Sequence, residues 1–500
     1  MQINKENVKL GWSFKERICV ISIYALFFLN AIFNVQSKYL WNDESFTNQI
    51  ISHSYMEIVH LTSMDVHPFL YYWIVKFFSM FSSDFNIRIV IFRIVSLLPY
   101  LLLLLIGQTL ISKKFSKQVA ILFMFSIVTM PNVIQNGYQV RMYSWSLFFV
   151  SLFFLNGFYF LFDDNSFKTV VTSSFFALCA AYSHYYGLIS VAVIYFLILI
   201  LLILKKRSIK NILLSIGMDV IFYIPWIFVL IKQTSTVSKG YWTPKLTLKS
   251  VLKLFLDNFT WINNKWGYLL VAIFFVLLLI LFLRNTNSFN KEFVCLSICS
   301  LIVLIIGGVI LSLIVGHTVI IFRYTVIVMG IVWLGIGVLI GTNLDNIFGK
   351  IAFILLFLTG IGSYVQYMRN CYGVSSEFNQ TLQTFNRIPK NSHIYYDNSV
   401  VMFSSASYLE HNIVLSERKN DVLFTEYKKV FSNIGESNGL PKLASTNTYF
   451  IRAGQGARRS LYMYNSKLAN KFFFEHHWKE VSVINLPSDG GQSILYKLVK

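Results

Sequence analysis

Ten apolar runs, near residues 18–36, 89–111, 143–162, 168–186, 187–204, 211–231, 266–283, 293–315, 319–341 and 350–367, take up most of the chain before residue 368. Each is close to the roughly 17–25 residues that a helix needs to cross a bilayer. Segment 118–135 is shorter and contains Pro131, but the topology requires a span there too. In lipid, every backbone N–H and C=O must find its partner within the protein, and runs of this length achieve that as helices. The sequence therefore predicts an α-helical polytopic membrane protein with about eleven transmembrane helices. A composition of 55% hydrophobic and only 13% charged residues agrees.

A formal net charge of +20 would direct a soluble chain toward nucleic acid. Here much of the excess sits between spans, where it orients the protein, and no nucleic-acid partner is expected. Lys5, Lys9, Lys15 and Arg17 precede the first span, Lys113, Lys114 and Lys117 follow the second, and Lys205, Lys206, Arg207 and Lys210 follow the sixth. With eleven spans all three groups share one side, cytoplasmic by the positive-inside bias. The N-terminus is then cytoplasmic, and the first loop and the C-terminal region are extracytoplasmic. The first run reads as a retained signal anchor, because Trp41-Asn42-Asp43-Glu44 follows it without a small-residue cleavage site.

One loop departs from this pattern. Residues 232–265 carry Lys232, Lys239, Lys245, Lys249, Lys253 and Lys265 against Asp257, yet fall outside. The loop reads as a basic surface for anionic lipid or phosphate, with a span miscounted by one as the alternative. Cys19, Cys179, Cys295 and Cys299 lie in apolar spans and Cys371 opens the polar tail, a spacing that gives neither a disulfide framework nor a metal site.

From about residue 368 the composition turns polar, dividing the chain into a membrane domain, 1–367, and a soluble extracytoplasmic domain, 368–500. Segments 392–397, 448–452 and 479–484 have strand character among helix-like polar stretches, so a small α/β domain is expected. Gly454-Gln455-Gly456-Ala457-Arg458-Arg459 resembles a phosphate loop only superficially, since no P-loop lysine and hydroxyl follow.

Chemistry concentrates in the first external loop, about residues 37–88. Asp43-Glu44 is followed by Asp65-Val66-His67-Pro68, and acidic groups with a histidine in one short non-spanning stretch point to a reaction centre at the headgroups. Residues 68–82, short and aromatic and broken by Lys76, read as a helix lying in the interface, with Lys76 snorkelling. Each residue also has a plainer reading. Asp43 and Glu44 can be solvated loop carboxylates, and Asp65 can cap a helix that begins near Pro68. Arg141 and Arg323 can be snorkelling arginines, and His184 a hydrogen-bonded interfacial residue.

Trp41-Asn42-Asp43-Glu44-Ser45, Asp65-Val66-His67-Pro68-Phe69, Gln139-Val140-Arg141-Met142-Tyr143, Ser183-His184-Tyr185-Tyr186-Gly187 and Arg323-Tyr324 occur in that order after the first span. This pattern resembles the GT-C superfamily of membrane glycosyltransferases, in particular the protein O-mannosyltransferase-like and aminoarabinose-transferase-like branch of bacteria. The resemblance covers about the first 370 residues, most closely the first 190; Phe69 departs from the second proline usual there. It implies transfer of a sugar, with inversion, from a polyprenyl-phosphate carrier to a cell-envelope glycan, lipid or protein acceptor at the outer face of the bilayer. Asp43 is then the general base, supported by Glu44, and Arg141 holds the phosphate. Asp65, His67, Tyr143, His184, Tyr185 and Arg323 are further substrate-binding candidates. No cofactor is implied by this branch. Asp43, Glu44, Asp65 and His67 could offer ligands to a divalent cation, as in the more distant oligosaccharyltransferases. Two other classes stay open: a polysaccharide polymerase using lipid-diphosphate units, and a non-enzymatic lipid or sugar transporter, although the paired halves of a transporter are not visible.

Overall fold

The computed structural model describes residues 11–162, 166–237, 246–415, 428–437, 441, 447–453, 467–486 and 491–499. The glycine-rich segment 454–459 and the lysines at 5, 9, 239 and 245 lie outside them.

Helix α1 (Phe14–Gln36) opens with a capping box: the Ser13 hydroxyl accepts from Glu16 N–H while the Glu16 carboxylate accepts from Ser13 N–H. The first loop folds into three short helices, α2 (Asn42–Ile50), α3 (Tyr55–Met64) and α4 (Leu70–Ser79). The chain continues as α5 (Phe85–Ile106), which runs through a π turn into α6 (Ser112–Lys114), then α7 (Lys117–Thr129), α8 (Pro131–Gly137), α9 (Tyr143–Gly157), α10 (Phe167–Ser183), α11 (Tyr185–Leu204) and α12 (Lys210–Val237). Next come α13 (Leu248–Leu256), α14 (Lys265–Arg284), α15 (Ser288–Val315), α16 (Phe322–Gly341) and α17 (Ile347–Phe385).

Nine helices among the described residues are long and apolar enough to cross a membrane, or ten if the bent pair α7 and α8 counts as one span. The expected eleven differs by α10, which has 17 residues and sits at the lower limit of a bilayer-crossing length. The run at 118–135 is helical but broken, bending by 52° where Pro131 opens α8 without an N–H to continue the ladder of α7. Two helices form the centre of the bundle. The apolar stretches of α9 and α16 are 83% and 94% buried, against 28% for α1 and 22% for α12. They approach closely because Gly330 of α16 faces Ser151 of α9, where a Cβ would collide with the Ser151 hydroxyl.

The segment read as an interfacial helix is α4, and Tyr71, Tyr72 and Val75 on it are fully buried against the protein. Phe77 and Met80 are exposed, and Lys76 donates to the Ile51 carbonyl. The N-cap reading of Asp65 is incorrect. Asp65 is the C-cap of α3, and Phe69 occupies the N-cap of α4, because the chain makes a bend around Pro68 before it becomes helical.

Helix α17 is 39 residues long and crosses the compositional change near residue 368 without a break, carrying the chain toward the polar C-terminal region. There a mixed six-stranded sheet forms with order β3-β2-β1-β4-β6-β5. Its strands are β1 (His393–Tyr396), β2 (Asn412–Leu415), β3 (Ile434–Ser437), β4 (Thr448–Arg452), β5 (Trp478–Leu486) and β6 (Gly491–Leu498). Strands β1 to β4 pair in parallel, and β6 pairs antiparallel with β4 and β5. The α/β expectation matches this sheet, which carries α18 (Ser399–Ser405) and α19 (Lys467–Phe474). The sheet unit docks on the first loop. The Tyr408 hydroxyl accepts from Leu40 N–H at 2.8 Å and donates to the Lys38 carbonyl at 2.6 Å, and Asn48 donates to the Ser407 hydroxyl.

Candidate active site

Successive residues of an α-helix point about 100° apart, so the two acidic residues in the first turn of α2 cannot share one environment. Glu44 turns into the protein and is 2% exposed. Its carboxylate accepts from both terminal nitrogens of Arg93, at 2.6 and 3.0 Å, and from Val140 N–H at 2.7 Å. Arg93 also donates to the Tyr39 carbonyl. Asp43 faces the other way. Its Oδ2 is 3.1 Å from Arg323 Nη1, and its side chain is 17% exposed.

The Val140-Arg141 segment is fixed to α2 by three bonds, two from the Val140 backbone and one from the Arg141 side chain. Glu44 accepts from Val140 N–H, Thr47 Oγ1 donates to the Val140 carbonyl at 3.2 Å, and Arg141 Nη1 donates to the Asp43 carbonyl at 2.9 Å. Arg141 Nη1 also reaches the Tyr72 hydroxyl at 3.4 Å. Arg323 is set by its helix: Thr325, two residues on, shares a buried network with Asn132 of α8 and Asn258. The Tyr186 ring stacks on Tyr324 at 4.9 Å and its hydroxyl donates to the Val319 carbonyl, fixing the entry to α16.

Around the two arginines lie His67, His184 and Tyr143. The His67 and His184 rings are 5.2 Å apart, and His184 is 5.6 Å from Tyr143 and 5.0 Å from Tyr324. His184 Nδ1 accepts from Tyr186 N–H, which places the proton of the neutral ring on Nε2. That Nε2, the Tyr143 hydroxyl, His67 Nδ1, Arg141 Nε and Arg323 Nε are buried and have no hydrogen-bond partner among the described residues. Burial, with the neighbouring charges of Arg141 and Arg323, holds the His67 imidazole well below its ordinary pKa. It is therefore neutral near pH 7. Burial works against the Arg141 charge, but Tyr72 and Asp43 keep its pKa well above the ordinary arginine value. The site thus gathers two fixed cations, neutral donors and one carboxylate.

The sequence candidates divide accordingly. Asp43, Arg141, Tyr143, His67, His184 and Arg323 come together, with Asp65 close enough for its charge to act on Arg141 and Tyr72. Tyr185 stands apart, its hydroxyl bonded to Gln233 and accepting from Trp226 Nε1. Glu44 belongs to the Arg93 pair. Two contributors escaped the sequence reading. Arg93 is the buried partner of Glu44, and Trp41 lies under the Arg323 guanidinium at 5.5 Å. Arg93 carried the clearest signal, since a charge inside an apolar run requires a partner. Among the described residues, no three His, Cys, Asp or Glu side chains are grouped so as to hold a metal ion. The four suggested ligands are not one set, because Glu44 is taken by Arg93 and Val140 N–H.

No family model matches the chain, and no curated protein matches it. Solved structures do. ArnT from Cupriavidus metallidurans in the apo state aligns with TM-score 0.59 at 11% identity, over 96% of this chain and 98% of that one. The same protein bound to undecaprenyl phosphate aligns with TM-score 0.57 at 10% identity, over 96% and 97%. The chain therefore shares the fold of ArnT over nearly its whole length, helices and C-terminal sheet included.

Proposed function

We propose that the protein is a membrane glycosyltransferase that moves a sugar from a polyprenyl-phosphate carrier to a cell-envelope acceptor on the extracytoplasmic face. The observation that carries this reading is the Asp43 carboxylate, 3.1 Å from Arg323 and bordered by Arg141, in a buried cluster of unpartnered donors. That an ArnT of the same fold binds undecaprenyl phosphate supports the donor class.

In this mechanism the acceptor hydroxyl oxygen attacks the anomeric carbon from the face opposite the phosphate, and the bond from that carbon to the phosphate oxygen breaks. Asp43 takes the hydroxyl proton as general base. The phosphate leaves as an anion with a second pKa of about 6, so it needs no general acid of the kind glycosidases use. It needs fixed positive charge and donors. Arg141 and Arg323 supply the charge, with His184 Nε2–H and the Tyr143 hydroxyl as neutral donors to its oxygens. His67 serves as a neutral wall and hydrogen-bonding group. Glu44 acts indirectly, by binding Val140 N–H and so setting Arg141. No step draws on a cofactor or metal. The N-terminus is cytoplasmic, and the loop bearing Asp43 and the sheet unit are outside.

The test compares cell-envelope glycans of the wild type and a strain lacking the gene by mass spectrometry. The expected result is loss of one sugar substituent, restored by the wild-type gene and not by Asp43→Asn. Identical glycans in all strains would sink the proposal.

A further inference from the structure

Next to the Asp43 site, on the side toward Glu44, lies a cavity of about 360 Å³ that the mechanism above does not use. It sits among the C-terminal end of α1, the first turn of α2, α5, α8 and the middle of α17, within the ~300–1,000 Å³ range of small-molecule sites. The two sites share a wall. Trp41, whose ring faces the Arg323 guanidinium at 5.5 Å, lines the cavity, and so does Glu44, the neighbour of Asp43 in α2.

The chemistry of the lining differs from that of the Asp43 side. Its only charged side chains are Glu44 and Arg93, and these neutralise each other in a bidentate pair. The remaining polar wall consists of amides, among them Gln135, Gln139 and Asn370, with hydroxyls and the Trp41 ring. Three buried atoms of lining residues have no hydrogen-bond partner among the described residues: Arg93 Nε, on a residue 6% exposed, the Tyr138 hydroxyl and Gln139 Oε1. Arg93 Nε donates, Gln139 Oε1 accepts and the Tyr138 hydroxyl can do either, the contacts that sugar hydroxyls satisfy. A phosphate offers only acceptors and would set its charge against Glu44. Amides plus an aromatic face are suited to an uncharged polyhydroxyl ring.

Resting on the glycosyltransferase reading, we infer that this cavity is the acceptor subsite and that the acceptor is a neutral, hydroxyl-bearing sugar of an envelope glycan. The donor phosphate then occupies the arginine side and the acceptor ring the amide side, the reacting hydroxyl reaching Asp43 past Trp41, the residue that lines the cavity and faces Arg323.

The experiment uses Asn370→Trp and Gln135→Trp, both at exposed positions, to fill the cavity without disturbing the packed core. Each full-length variant is expressed in the strain lacking the gene, and envelope glycans are quantified by mass spectrometry with linkage analysis. The purified variants are titrated with undecaprenyl phosphate in nanodiscs. Expected are a fall in the transferred sugar of at least ~10-fold, the equivalent of ~1.4 kcal/mol, and wild-type affinity for undecaprenyl phosphate. In the wild type, the sugar is expected on the hydroxyl of a neutral sugar. Normal transfer by both variants overturns the inference. So does lost undecaprenyl phosphate affinity, which would assign the cavity to the donor, or a sugar found on a phosphate-bearing or protein acceptor. Glycans unchanged by the deletion itself would remove the glycosyltransferase reading beneath it as well.

Discussion

Glu44→Gln separates a structural from a chemical role for the second acidic residue. The wild-type carboxylate holds two Arg93 bonds and one from Val140 N–H, all in a site with Glu44 2% and Arg93 6% exposed. Glutamine keeps an acceptor for Val140 but leaves the Arg93 charge buried and uncompensated. Breaking one partner of a buried pair costs about 3–5 kcal/mol, which lowers the folded-to-unfolded ratio by a factor of more than about 100. Adding Arg93→Met removes the stranded charge. The double variant then lacks mainly the contact to the Tyr39 carbonyl, a loss of about 1–3 kcal/mol. Stability is read by thermal denaturation in detergent, with transfer activity measured on the surviving folded protein. The account expects the single variant to be the less stable of the two and the double variant to regain stability, with transfer activity detectable but lowered by loss of the Arg93 Nε donor in the cavity. A Glu44→Gln protein as stable as the wild type, inactive, and not rescued by Arg93→Met would refute the reasoning and assign Glu44 to the chemistry.

Three further outcomes are expected. Arg141→Lys removes a planar fork, and since a charged hydrogen bond is worth about 1.5–3 kcal/mol, undecaprenyl phosphate affinity should fall about 10- to 100-fold; an unchanged titration curve contradicts this. His67 stays neutral when folded but takes up a proton when unfolded, so it costs no stability above about pH 6.5 and progressively destabilises the protein as pH falls below that value. His67→Gln should therefore flatten the loss of thermal stability between about pH 6.5 and 5, and parallel pH profiles would exclude the effect. Tyr408→Phe deletes the acceptor for Leu40 N–H and the donor to the Lys38 carbonyl, costing about 1–3 kcal/mol at the joint between sheet unit and first loop. Faster limited proteolysis of the soluble region is expected, and an unaltered digestion rate counts against that joint.

What could be read from the chain and what could not divide along physical lines. Hydrophobic run length locates the spans, and the motif order marks Asp43, Arg141 and Arg323, because charged residues beside apolar runs stand out. The span count came out differently at α10, where a 17-residue helix sits on the boundary of bilayer-crossing length, and at Pro131, where one run becomes two helices. The division of labour between Asp43 and Glu44 follows from partners far away in the chain. Arg93 is 49 residues from Glu44 and Arg323 is 280 from Asp43, and no local pattern specifies such pairs. The capping alternative for Asp65 names the wrong helix end, because a proline near a helix start suggests an N-cap, whereas here the bend at Pro68 intervenes and Asp65 closes α3. The cavity beside Glu44 is assembled from five helices and has no sequence signature at all.

The central claim is that Asp43 takes the acceptor proton in transfer from a polyprenyl-phosphate sugar. Its most direct measurement is steady-state transfer from the synthetic donor identified by glycan analysis, comparing wild type with Asp43→Asn in nanodiscs. A general base contributes about 10²- to 10⁴-fold, so kcat should fall by at least about 100-fold while undecaprenyl phosphate still binds. An Asp43→Asn enzyme with wild-type kcat would contradict the account.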